Sequence, residues 1–337
     1  MAVTLAACAI AVFLQPEASA QSAARPKYQD PRFEENWSAF DPPTDETRDR
    51  HDPLKDIELS EQLHVSLGSH ARIRLEEWNN FGFGKNNDDA YILYRAFMHS
   101  DWRYGEHFRV FIEGKFAAST DRDLPGGIRE ALDVDDPDFW NTFIEVRGNV
   151  GPVELMGRAG RQELKFGKQR LISPLDWANN RRIFDGVRGG VHASDGDWVL
   201  DGFWTRPVVI DRDDINEADD EREFAGLYFT KKKLGPIGID AFLLYLENDI
   251  LDQDIYTIGT RIFGQTSFGL TYDAEAAFQF GETGSHDNKA WMFAAEIAYT
   301  FGEHAWKPWL GAGFDYASGD SDPTDDDVET FIQHFPL

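Results

Sequence analysis

From His64 onward, apolar and polar side chains alternate with a period of two in one segment after another. This pattern limits the fold more than any other feature of the chain. In HVSLGSHARIRLEEW (64–78), Val65, Leu67, Ala71, Ile73 and Leu75 share one side, and Ser66, His70, Arg72, Arg74 and Glu76 share the other. FRVFIEGKF (108–116) sets Phe108, Val110, Ile112 and Phe116 against Arg109, Glu113 and Lys115. YDAEAAFQFG (272–281) sets Tyr272, Ala274, Ala276, Phe278 and Phe280 against Asp273, Glu275 and Gln279. KAWMFAAEIAYT (289–300) sets Trp291, Phe293, Ala295, Ile297 and Tyr299 against Glu296 and Thr300. A period of two means strand. Nine further strands are expected at 90–103, 139–148, 152–161, 186–193, 198–207, 223–231, 237–248, 255–264 and 307–317, about thirteen in all. Most are about ten residues long, the length that crosses a bilayer at a tilt.

The joins between these segments alternate in kind. VRGNVGPVEL (146–155) and KKKLGPIGI (231–239) turn tightly at Gly-Pro, whereas DVDDPD (133–138), DRDDINEADDERE (211–223) and DSDPTDDDVE (320–329) are long and acidic. Short turns alternating with long polar loops mark an outer-membrane barrel. A soluble β-sandwich or β-helix also alternates, with its apolar face on a packed core. The side facing the apolar one separates the cases. Here it is rich in Arg and Glu, and the apolar side is rich in large aromatics. Phe, Trp and Tyr make up 14% of the chain, which suits strands and the aromatic girdles of a barrel. The fold class expected is therefore all-β, a transmembrane antiparallel β-barrel.

Mean hydropathy is -0.48 and no run of eighteen apolar residues occurs, so no transmembrane helix is expected. A formal net charge of -27 argues against nucleic acid as a partner, because phosphate binding needs a basic surface. The lone cysteine, Cys8, provides neither a disulfide framework nor a thiolate metal site. MAVTLAACAIAVFLQPEASA (1–20) has an apolar stretch at 2–14 and an A-x-A cleavage site at Ala18-Ser19-Ala20, so it is expected to be a signal peptide. It lacks the usual basic residues ahead of the apolar stretch, so the true start is expected further upstream. Leu5-Ala6-Ala7-Cys8 has lipobox character, but the apolar run continues past the cysteine. Residues 21–60 are expected to be a polar N-terminal extension and residues 61–337 the barrel domain.

Catalytic signatures are missing. The sequence has no H-E-x-x-H, no G-x-S-x-G and no Walker loop. DSDPTDDD (320–327) lacks the glycine and terminal glutamate of an EF-hand. No cofactor, metal or enzymatic activity is assigned. A secreted polysaccharide-active enzyme is the enzymatic alternative.

Residues 160–188, GRQELKFGKQRLISPLDWANNRRIFDGVR, carry Arg161, Lys165, Lys168, Arg170, Arg181, Arg182 and Arg188 against Glu163, Asp176 and Asp185. This local cationic excess stands inside a strongly acidic chain. The order GRQEL–FG–QRLI–W–N–RR–FDGVR resembles the alginate export family of Gram-negative outer-membrane proteins. RIRLEEW (72–78), AAFQFG (276–281), DYASGD (315–320) and Phe-Pro (335–336) add to the resemblance, which runs from about residue 64 to the end. It implies an eighteen-stranded barrel with an arginine-rich pore that passes an anionic polysaccharide. The chain ends at FIQHFPL without a closing alternating strand, so C-terminal truncation and an incomplete barrel are expected.

With apolar sides toward lipid, parity turns Arg72, Arg74, Arg109 and Lys115 inward, and Arg95 and Arg158 with them. An arginine facing lipid at the midplane costs about 2–4 kcal/mol, so the orientation is strongly chosen. These six, with Arg161, Arg170, Arg181, Arg182 and Arg188, are the expected pore-lining or substrate-binding cations. Glu76, Glu113, Asp185, Asp273, Glu275 and Glu296 are the expected lumenal acids. Each arginine has a plainer role available, bracing the wall through carboxylates. Gly160, Gly167 and Gly186 are expected to serve tight backbone geometry. The expected partners are an anionic polysaccharide or small anions, outer-membrane lipid and lipopolysaccharide, and periplasmic export proteins. A general anion-preferring porin is the alternative function.

Overall fold

The computed structural model describes residues 26–38, 49–123, 127, 129–302, 304, 306–322 and 324–337. The expected signal peptide, residues 1–20, and with it Cys8, lies outside the described residues. Fourteen strands form one antiparallel meander. They are β1 (Ile57–Ser60), β2 (Leu63–Trp78), β3 (Asp89–Tyr104), β4 (Phe108–Ser119), β5 (Asp135–Val150), β6 (Val153–Gln162), β7 (Phe184–Ala193) and β8 (Trp198–Val209). After the two-residue β9 (Glu217–Ala218) follow β10 (Arg222–Leu234), β11 (Ile237–Asn248), β12 (Gln253–Gln265), β13 (Leu270–Thr283), β14 (His286–Thr300) and β15 (Trp309–Ala317). β9 pairs with the end of β8, and β16 (Asp327–Val328) lies parallel to β14. All thirteen expected strands are present. The additional member of the meander, β1, falls in the stretch expected to be a non-periodic extension. At four residues it is too short to show a period. Among the described residues, no pairing joins β1 to β15.

One end of the meander carries tight joins at 61–62, 105–107, 151–152, 194–197 and 235–236. The other carries the long ones, 79–88, 120–134, 163–183 and 210–221, together with the short turns 249–252 and 284–285. The longest does not project from the sheet. Segment 163–183 folds back along the inner face, and its contacts show how far the sheet curls. Arg170 binds Asp273 and Glu275 on β13, while the carbonyl of Asp176 accepts from Arg72 on β2. Six residues of chain span at most about 21 Å. In a flat sheet β2 and β13 would lie ten strand spacings apart, about 48 Å. Two extended arginine side chains do not make up the difference, so the sheet must wrap around the segment.

The two faces follow the expected parity. On β3, Arg95 is 3% exposed while Met98, three residues on and of the opposite parity, is 72% exposed. Ile73 and Leu75 on β2, Ile144 on β5, Val187 on β7 and Ile258 on β12 all lie open on the outer face. The inner face departs from expectation at β8–β11. There Phe203, Phe224, Tyr228, Phe242 and Leu244 point inward and pack against Leu164, Phe166, Leu171 and Ile172 of the infolded segment and against Phe335 near the end of the chain. AFLLYL (241–246) is apolar at every position because both of its faces are covered, one of them by loop.

The infolded segment leaves β6 and returns to β7 beside a glycine pair. Gly160 and Gly186 stand opposite each other, with φ +129° and +157°. A Cβ on Gly160 would collide with the carbonyl oxygen of Thr142, and one on Gly186 with that of Trp204. Gly160→Ala is expected to destabilise the protein by about 1–3 kcal/mol, because the backbone conformation and the collision both oppose it. Thermal unfolding in detergent would register this, with Gly157→Ala, which meets nothing within 4 Å, as the comparison.

Candidate pore lining

The inner face is a mesh of ion pairs. On the wall, Arg109 grips Asp101 through Nε (2.7 Å) and Nη2 (3.1 Å), and Arg158 pairs with Glu145. Arg188 holds Asp201 with two bonds of 3.2 and 2.9 Å. Arg161 holds Asp185 in the same two-pronged way at 2.8 and 2.9 Å, and also donates to the Asn216 carbonyl. Arg74 pairs with Glu76, which also accepts from Tyr91 and Trp78. Glu113 accepts from Asn141.

The infolded segment is tied to both sides of the curl. On the β2–β3 side, Arg72 donates to the carbonyls of Asp176, Trp177 and Ala178, and Arg95 donates to the Asp176 carboxylate at 3.0 Å. On the β13–β14 side, Arg170 reaches Asp273 (2.8 Å), Glu275 (2.9 Å) and Glu296 (3.0 Å), with Lys168 also on Glu296. Burial opposes the charge of Arg181, but Glu163, Asp30 and Asp176 outweigh it and raise its pKa above the ordinary arginine value. Asp176 is likewise penalised by burial, yet Arg181 and Arg95 hold its carboxyl below the usual range. Arg182 has no carboxylate among its described partners. It donates to the carbonyls of Ser173 and Pro336, and burial, reinforced by Arg222, lowers its pKa to about 10.

The cationic excess of 160–188 is thus local in sequence and is offset in space. Asp30, Asp201, Asp273, Glu275 and Glu296 arrive from elsewhere to meet it. All eleven expected cations lie on the inner face or the infolded segment, but they are not alike in access. The Lys115 side chain is fully enclosed between Asp135 (2.7 Å) and Asn180 (2.5 Å), 3.6 Å from the centre of the Trp140 ring. The side chains of Arg95, Arg158 and Arg181 are also nearly sealed. Several partners were not singled out from sequence. Asp101, Glu145 and Asp201 share the inward parity of the residues that were, so the signal existed. Asn179 does not follow from parity. It sits in the non-periodic segment and donates to the carbonyls of Tyr94, Ala118 and Asp133.

The family model for alginate export matches residues 63–337. The chain belongs to the alginate export family. As a member of that family with a curled antiparallel sheet, it is an outer-membrane β-barrel protein of the channel type. No curated protein matches it. Among solved structures, this family member is similar to OccAB1 of Acinetobacter baumannii (9% identity, 79% of this chain and 68% of that one, TM-score 0.48). It is also similar to a BenF-like porin from Pseudomonas fluorescens Pf-5 (11% identity, 77% and 99%, TM-score 0.40). A third is OccK2 (OpdF) of Pseudomonas aeruginosa in complex with glucuronate (11% identity, 76% and 96%, TM-score 0.35).

At the tight-turn end a cavity of about 720 Å³ opens between the wall and residues 33–38 of the N-terminal stretch. Arg103, Arg109, Arg147, Arg158 and Arg188 line it, together with Glu145, Glu154 and, nearer its rim, Glu61 and Glu106.

Proposed function

We propose that this protein is an outer-membrane channel that exports an anionic, uronate-bearing polysaccharide. The observation that carries the proposal is the two-pronged carboxylate grip repeated along the inner face, at Arg109–Asp101, Arg188–Asp201 and Arg161–Asp185. A uronate presents the same planar carboxylate to a guanidinium. A polymer can therefore advance by exchanging its carboxylates with those of the wall. Each exchange is nearly balanced, so the polymer is held by many weak contacts and released from each, as conduction requires.

The outer face fits a lipid surround. Aromatic pairs lie near both ends of the strands, Trp291 with Tyr316 (ring centres 4.5 Å apart) toward the long-loop end and Tyr299 with Phe301 (4.9 Å) toward the tight-turn end. Such girdles mark the two membrane interfaces. Short turns are periplasmic in outer-membrane barrels and long loops extracellular, so the cavity end faces the periplasm and any export partner there. The acidic loops lie on the lipopolysaccharide side.

Planar-bilayer recording tests the proposal. The expected result is an anion-selective current blocked by polyuronate added on the tight-turn side. A weakly selective current with no block would favour passage of small anions instead. The absence of any current, with the protein recovered from the soluble periplasmic fraction, would overturn the channel.

A further inference from the structure

Residues 28–37 make no strand pairing, yet they occupy the tight-turn mouth of the lumen. Phe33 is 6% exposed and seats edge-on against Phe111 and Phe143, with ring centres 6.2 and 5.7 Å away. Its carbonyl accepts from Arg109 Nη2 (2.8 Å), and the Glu35 carbonyl accepts from Arg103 Nη2 (3.2 Å). The Arg158 guanidinium lies 4.8 Å from the centre of the Phe33 ring, and its buried Nη1 has no hydrogen-bond partner among the described residues. Further in, Asp30 sits on Arg181.

This segment is held by side chains alone, through the Phe33 seat, a buried Trp37 packed on Tyr28 beneath Lys55, and a few side-chain bonds, whereas the wall behind it is held by strand ladders. It can leave without breaking the sheet. Its departure would bare Phe111 and Phe143 and remove two acceptors from the guanidiniums. Arg103 and Arg109 both rely on Asp101, and Arg109 and Arg158 both approach Glu145. Arg103, Arg109 and Arg158 would then share Asp101 and Glu145, the latter also held by Arg147, beside an open aromatic surface. That combination suits a sugar ring carrying a carboxylate, which offers an anion to the guanidiniums and an apolar face to the rings.

We propose that residues 28–37 form a displaceable stopper at the periplasmic mouth, and that its withdrawal uncovers Arg103, Arg109 and Arg158 as a docking site for uronate units. The peptide now supplies, through its carbonyls, the acceptors that the polymer would supply with its carboxylates. The site rests on the export function proposed above. The stopper does not.

The test uses the parent protein, Phe33→Ala, a variant lacking residues 28–37, and that deletion combined with Arg109→Ala. Each is recorded in planar bilayers with oligogalacturonate titrated on the tight-turn side. Phe33→Ala and the deletion are expected to conduct more than the parent and to be half-blocked at lower oligogalacturonate. Adding Arg109→Ala is expected to raise the half-blocking concentration about tenfold, through loss of one charge-assisted contact. Phe33→Ala retains the whole chain, so the result stands even if the deletion fails to assemble. Parental conductance in both Phe33→Ala and the deletion would overturn the stopper. Raised conductance with block indifferent to Arg109 would overturn the docking site. Absence of block in every protein, the parent included, would count against polysaccharide export, and the conductance comparison would still decide the stopper.

Discussion

Arg170→Ala combined with Lys168→Ala is expected to raise single-channel conductance and make the current noisy, because these two side chains anchor the infolded segment to the far wall. Arg170 makes three carboxylate contacts there, with Asp273, Glu275 and Glu296, and Lys168 adds one to Glu296. Hydrogen bonds to charged groups contribute about 1.5–3 kcal/mol each when well shielded. Glu296 and Lys168 are substantially exposed, so their share is small. A loss of about 3 kcal/mol in total would shift docking of the segment by about a hundredfold. The segment would loosen without being expelled, since Phe166, Leu171 and Ile172 keep their apolar seat and Arg72 and Arg95 still hold its other end. Noise, not a uniform step, is therefore the expected signature. Arg206→Ala is the control. Arg206 also pairs with two acids, but on the exposed rim and away from the segment, and its loss should leave the current unchanged. A steady, parental current from the double variant would mean that the segment is not the barrier.

The strands were legible from sequence because each is covered differently on its two faces, and that difference writes a period of two into the chain. Arg109, Glu113 and Lys115 could be assigned to one side of β4 from 108–116 alone. The infolded parts were not legible. Residues 163–183 satisfy their backbone through side chains on distant strands, as Asn179 and Arg72 show, and such bonds leave no periodic trace. The N-terminal stretch escaped for the same reason. Phe33 stands between Tyr28 and Trp37 in an otherwise polar run with no period, and its seat exists only once β4 and β5 are side by side. The cationic character of 160–188 was legible, but its neutralisation was not. Counting charge along a chain cannot reveal that Arg170 will meet acids more than a hundred residues away.

Lys115 provides the second large effect, and it separates bracing from transport. Its side chain is completely enclosed, with Nζ on Asp135 and Asn180 and above the Trp140 ring. Lys115→Met preserves much of the volume and removes the charge. Asp135, itself 1% exposed, would keep only the amide of Asn216 at 2.9 Å among its described partners. Breaking a buried pair from one side costs about 3–5 kcal/mol, mostly through the charge left behind. Adding Asp135→Asn removes that charge, so the double variant is expected to regain most of the loss. Thermal unfolding in detergent, followed by heat-modifiable gel mobility, measures both. A double variant no more stable than Lys115→Met would show that packing around Trp140, not charge, sets the cost. Polyuronate block in the double variant is expected to match the parent, because a cation sealed behind Asn180 does not meet the polymer. Weakened block in a stably folded double variant would instead make Lys115 part of the conducting path and would require the infolded segment to move aside during passage.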